Sequence, residues 1–262
     1  MQQSVKLSDH CIVDHFLASQ VEGEPPPLPR GKLLLVESLL RLDRKMHFTG
    51  MWGSMWRALG VTRSPKNPNM CNFCGLHWES GRLSEVTALF ADWRGFTGLM
   101  RERGPQALRP VVDEFFRRSR DIVVEHDGIV DHFMGDAVLA LFGVPIRHED
   151  HVARAVQTAR EIQAAISEIN RAVGEDGLLK VGIGVCTGVV FTGTVGSKSC
   201  NDYTAIGDAI NIASRLQGEA AAGEILVMDE AFKLMREDCP ETESRVLHLK
   251  GIDEPVRAYI LH

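Results

Sequence analysis

The apolar positions of the chain alternate between short runs and long periodic stretches, and each change of period marks an element. Val86 to Ala91 is a short apolar run bounded by Gly81 and Gly95, which predicts a buried strand that delivers Asp92 to its C-terminal end. Pro105 to Glu125 repeats Leu108, Val111, Val112, Phe115, Phe116, Ile122 and Val123 at three and four residues, with charges between, and predicts an amphipathic helix. Gly128 to Gly143 holds two apolar runs around Gly135-Asp136, the pattern of a hairpin with Asp136 at its tip. His148 to Val173 is a second such helix, with Val152, Ala155, Val156, Ala159, Ile162, Ala165, Ile166 and Ile169 on one face. Val181 to Val195 alternates glycine with β-branched residues and predicts two closely paired strands, a helix starts near Gly207, and Glu224 to Met228, Arg245 to Leu249 and Pro255 to Leu261 add short strands. Strand, helix, hairpin, helix, strand is the split βαβ order, so the expected class is α+β, a ferredoxin-like sheet covered on one face by two helices.

Residues 1–80 follow other patterns. Glu22 to Gly31 is a proline-rich break that ends a mobile or loosely helical leader. Lys32 to Met46 reads as a helix, and Met51, Trp52, Met55, Trp56 and Leu59 continue an apolar surface suited to packing on the main domain or on a second copy. The segment from Ser64 to Ser80 is the natural linker, so the chain divides into a small helical appendage at 1–80 and a main domain at 83–262. Cys71 and Cys74, with His77 three residues on, have the spacing of half a Zn2+ site. A fourth ligand would have to come from a second subunit or from His10, Cys11 or His15; since a lone CxxC recurs by chance, buried reduced thiols are the favoured reading.

Composition narrows the field. With 262 residues, 44% of them apolar, the chain is long enough for one well-cored domain and a smaller appendage. A net charge of -6 argues against a general nucleic-acid or anionic-membrane surface. Asp9, His10, Asp14 and His15 fall where a signal peptide needs an apolar core, no run approaches the ~18 apolar residues of a membrane span, and six scattered cysteines suit reduced thiols, so the expected location is the cytoplasm.

The chemistry lies in the two aspartates. Either alone is ordinarily a turn residue. If the hairpin pairs beside the first strand, both carboxylates meet at one sheet edge, and their repulsion calls for a hard divalent cation that also takes phosphate oxygens, Mg2+ or Mn2+.

Phe90-Ala-Asp-Trp-Arg-Gly-Phe-Thr97, Phe133-Met-Gly-Asp-Ala-Val-Leu-Ala-Leu-Phe-Gly143 and Asp202-Tyr-Thr-Ala-Ile-Gly-Asp-Ala-Ile-Asn-Ile-Ala-Ser-Arg-Leu216 resemble, in order, three motifs of the class III nucleotidyl cyclases. The resemblance covers Leu83 to Leu261. It implies cyclisation of ATP to 3',5'-cyclic AMP and pyrophosphate, with two cations per site held by Asp92, Asp136 and the carbonyl of Trp93. It further implies that Gly95, Phe96 and Thr97 cradle the β- and γ-phosphates, that Asn211 orients the ribose, and that Arg215 stabilises the charged five-coordinate phosphorus. It places the carboxylates and the Asn211/Arg215 pair on opposite subunits of a homodimer.

The sequence departs from the family pattern in two places. His132 stands where adenylyl members usually carry a base-reading lysine, while its partner position falls on Thr204, common in bacterial adenylyl members; ATP is favoured over GTP on that ground. Ser199 and Cys200 replace an arginine that often precedes the Asp-Tyr-Thr motif, leaving Lys198 and Lys250, or Ile252 in an alternative alignment, for the triphosphate. The rivals are a nucleotide-binding module of the same fold without turnover, a guanylyl cyclase, and a metal-responsive sensor built on the CxxC. A diguanylate cyclase is set low, since its Gly-Gly-Asp/Glu-Glu-Phe turn is absent.

Overall fold

The computed structural model describes residues 10–12, 45–47, 54, 58, 81–144, 147–175, 177–197, 200–235 and 242–261. The proline-rich break and Cys71, Cys74 and His77 lie outside the described residues. The chain divides into two compact units, Met1–Arg82 with Thr192–Thr204, and Leu83–Phe191 with Ala205–His262.

In the first unit β1 (His10–Ile12) pairs antiparallel with β2 (Lys45–His47), Cys11 opposite Met46. This corrects two expectations. The helix assigned to Lys32–Met46 does not reach its C-terminal end, and the leader contributes a strand, because cross-strand pairing overrides the local helical period.

The second unit is built on β3 (Arg82–Trp93), which runs antiparallel to β5 (Ala137–Phe142), itself the second arm of a hairpin with β4 (Ile129–Met134). Between β3 and β4 come α1 (Phe96–Arg103) and α2 (Pro105–Glu125), and β5 leads to α3 (His151–Val173). Then follow β6 (Val181–Ser197), β7 (Cys200–Ile206), α4 (Asp208–Glu219), β8 (Ile225–Met228), α5 (Asp229–Lys233), β9 (Ser244–Leu247) and β10 (Val256–Leu261). The sheet order is β4-β5-β3-β6-β8-β10-β9, with β7 paired to β6.

The main core lies between α2, α3 and one face of the sheet. Leu89, Ala91 and Trp93 of β3 and Ile183 and Val185 of β6 join Phe115, Ile122, Val156, Ile162 and Ile166 in one buried cluster. Each fully buried large apolar side chain contributes about 1.5–3 kcal/mol, which is why the three- and four-residue repeat of the helices is so plain in the sequence. At the end of α3 the Asn170 amide closes a buried two-way clasp: its Nδ2 donates to the Leu179 carbonyl at 2.8 Å and its Oδ1 accepts from the Leu179 N–H at 2.7 Å.

Side chains alternate along a strand, so Asp92, Gly182 and Gly184 belong to the opposite face. There lies α4. A Cβ at Gly184 would collide with the Ala213 carbonyl oxygen and the Gln217 nitrogen, and one at Gly188 would stand 3.1 Å from Ala209 Cβ. These glycines therefore seat a helix and make no turn, which corrects the expectation of two strands between Val181 and Val195: β6 is a single strand of 17 residues.

Candidate active site

The site is built at the edge where β3 meets the hairpin. Asp92 pairs in register with Ala137, and the Trp93 N–H donates to the Asp136 carbonyl at 3.3 Å, so the end of β3 and the hairpin tip are bound to each other. Gly135 makes this tip. Its φ of 65° precedes an Asp136 that is not left-handed, the φ pattern of a type II′ turn with glycine first, which suits a two-residue loop between twisted strands.

Both carboxylates are partly buried. Burial, and beyond it the charge of Asp136, pushes Asp92 above the usual carboxylate value, and burial raises Asp136 as well. Arg94 acts against both shifts: its Nη1 lies 3.8 Å from Asp92 Oδ2, while its Nε and Nη2 are buried with no hydrogen-bond partner among the described residues, packed where a Cβ on Gly182 would collide with them. The second partner of Asp92 is Gln217 of α4, whose Nε2 donates to Oδ2 at 2.8 Å.

Carboxylate oxygens raised toward protonation by burial, and at Asp92 also by the charge of Asp136, form a hard donor set that a divalent cation relieves. Among the described residues no three or more His, Cys, Asp or Glu side chains gather around one point. Two carboxylates at a turn with backbone carbonyls beside them are oxygen donors of the kind that Mg2+ or Mn2+ takes.

The remaining expected residues fall into three groups. Trp93 is 2% exposed, its indole N–H donating to the Leu178 carbonyl at 3.3 Å and its ring 5.2 Å from that of Phe96, so its side chain is core and only its backbone faces the turn. Gly95, at φ 76°, caps α1 and lets β3 turn sharply into it, leaving the amides of Phe96 and Thr97 in the first helical turn, where N–H groups have no partner within the helix. His132 is exposed on β4 beside a register shift, its Nδ1 held at 2.9 Å by the Asp131 carboxylate, which is 1% exposed.

On α4, Asn211 is exposed and Arg215 half-buried. Arg215 turns toward the loop after Lys250: a Cβ at Gly251 would stand 3.4 Å from its Nη2. Arg215 and Gln217 are two residues apart, about 200° around a helix, so the side of α4 that reaches Asp92 is the side away from Arg215. The helix thus presents Gln217 to Asp92 and Arg215 to the Gly251 loop. Thr204 is half-buried on β7, in the first unit, and Lys250 is exposed.

Sequence reasoning missed Arg94, Asp131 and Gln217. Gln217 did leave a signal, as the one polar residue on a buried stripe of Ala209, Ala213 and Leu216.

The family model described as Adenylate and Guanylate cyclase catalytic domain matches residues 78–262. The chain belongs to that family. Among curated relatives, Adenylate cyclase 1 of Rhizobium meliloti (strain 1021) is 35% identical over 136 residues, covering 51% of this chain and 20% of its own. Adenylate cyclase of Anabaena cylindrica is 31% identical over 187 residues, 66% of this chain and 36% of its own. The chain thus spans well under half the length of these relatives. Among solved structures, the guanylyl cyclase Cya2 superposes with a TM-score of 0.65 at 30% identity over 69% of this chain and 92% of its own. The adenylyl cyclase CyaB from P. aeruginosa gives 0.64 at 30% identity over 69% and 95%. The α+β architecture here is theirs. Among the described residues no helix is long and apolar enough to cross a membrane.

Proposed function

We propose that the chain is an adenylyl cyclase, converting ATP to 3',5'-cyclic AMP and pyrophosphate at a site shared between two copies. The observation that carries this reading is α4 itself, whose Gln217 reaches its own Asp92 while Arg215 turns to the Gly251 loop and Asn211, one turn before it, is exposed. A monomer then holds two half-sites, and a head-to-tail pair would complete both.

In the reaction the ribose 3'-hydroxyl attacks the α-phosphorus, its proton leaves, and the bond to the bridging oxygen breaks as pyrophosphate departs. Bound divalent cations would acidify the hydroxyl and neutralise the phosphate chain. Asp92 and Asp136, with the Trp93 carbonyl, are the residues to hold them. The amides of Phe96 and Thr97 at the start of α1, opened by Gly95, bind the β- and γ-phosphates. Lys250, on the loop against which Arg215 packs, adds a cation for the same chain. Asn211 orients the ribose, and Arg215 meets the extra charge on five-coordinate phosphorus, where a planar guanidinium is well matched. His132 and Thr204 read the purine; Asp131 fixes the ring of His132 through Nδ1 and directs Nε2 outward to the base.

GTP is the second reading, supported by the equal similarity to a guanylyl cyclase and by the histidine at the base-reading position. Incubation of the purified chain with ATP or with GTP and Mn2+, followed by chromatography of the products, tests both. Cyclic AMP from ATP is expected; cyclic GMP alone would reverse the base assignment, and nucleotide binding without cyclic product would favour a non-catalytic module.

A further inference from the structure

Gln217 is 7% exposed on a helix face otherwise lined by Ala209, Ala213 and Leu216. An amide buried among methyl groups is costly unless its hydrogen bonds are made. Its Nε2 finds Asp92 Oδ2 at 2.8 Å. Its own helical N–H sits over Gly184, where β6 has no side chain, so α4 is held against the sheet at the turn that carries the amide.

We propose that Gln217 is a positioning residue for the cation site: its amide holds one oxygen of Asp92 and leaves the other for the cation. This rests on the reading of Asp92 and Asp136 as cation-binding carboxylates. A neutral donor suits the task. It orients a carboxylate without adding the positive charge that would repel a divalent ion, whereas Arg94, on the same oxygen at 3.8 Å, brings such a charge. Since α4 carries Arg215 on its other side, the helix that presents the guanidinium is the one that steadies the carboxylate of its own chain.

The test is a Mn2+ titration of the full chain, read by loss of the free-ion electron paramagnetic resonance signal, on wild type, Gln217→Met and Asp92→Asn. Methionine keeps the length and apolar packing of residue 217 and removes the donor. Partners of ligating groups are worth about 10–100-fold in metal affinity, so Gln217→Met is expected to bind Mn2+ at least tenfold more weakly while still melting in one cooperative transition without metal. Its cyclase activity should need correspondingly more Mn2+, with the Michaelis constant for nucleotide at saturating Mn2+ unchanged. A loss of Mn2+ affinity below threefold overturns the proposal, and a greater loss supports it. If Gln217→Met does not fold, Gln217→Ala is read against the same threshold. Asp92→Asn separates the two levels: if it binds Mn2+ like wild type, the carboxylate reading fails and Gln217 falls with it. If it loses Mn2+ while Gln217→Met does not, only the role of Gln217 is wrong.

Discussion

Asp92 and Asp136 are held in a state that costs the protein something when no cation is present. Burial raises both above the usual 3.8, with Asp136 adding to the shift at Asp92. A carboxyl whose folded value is raised binds its proton more tightly in the native state, so stability falls as pH rises from the ordinary carboxylate value through the folded one. Above that window the cost is fully present. Asp136→Asn should therefore melt at a higher temperature than wild type at neutral pH without metal, and the gain should vanish near pH 4. Saturating Mn2+ should raise the wild type and leave the variant unmoved. Thermal melts at the two pH values, with and without Mn2+, check all three; a variant less stable than wild type at neutral pH would contradict the burial argument.

The elements show why some of this was legible and some was not. The strand ending on Asp92, the hairpin ending on Asp136 and the two long helices could be read because each announces itself through local periodicity or a glycine turn. The stretch from Val181 to Val195 could not, because glycine signals a turn and a close approach with the same letter. In β6 it means approach: Gly184 and Gly188 admit α4. The pairing of Lys45–His47 with His10–Ile12 joins residues far apart in sequence, which no local pattern reports. Of the site, the motif residues were visible and their supports were not, since Gln217 meets Asp92 across 125 positions of sequence. Gly184→Ala is the element-scale consequence. The added methyl pushes α4 off the sheet, and overpacking of this kind costs about 1–3 kcal/mol. Activity should fall more steeply than stability, by about tenfold or more, since a displacement of about 1 Å already costs far more in rate than in folding. Comparison of turnover with chemical denaturation measures the two together.

At the scale of the whole molecule, the two sides of α4 set the account. One side is tied through Gln217 to the sheet edge that carries Asp92, and on the other Arg215 turns toward the Gly251 loop. On the proposed reading a catalyst needs two copies, each supplying what the other lacks. Mixing separately inactive variants tests this most directly. Asp92→Ala and Arg215→Ala should each lose about 100-fold or more in turnover, as the loss of a cation ligand or a charge-stabilising group does. An equimolar mixture, refolded or exchanged together and assayed with ATP and Mn2+, should regain about a quarter of wild-type activity, because half of the dimers are mixed and each mixed dimer holds one whole site. No recovery on mixing, with mixed dimers shown to form, would contradict the shared site.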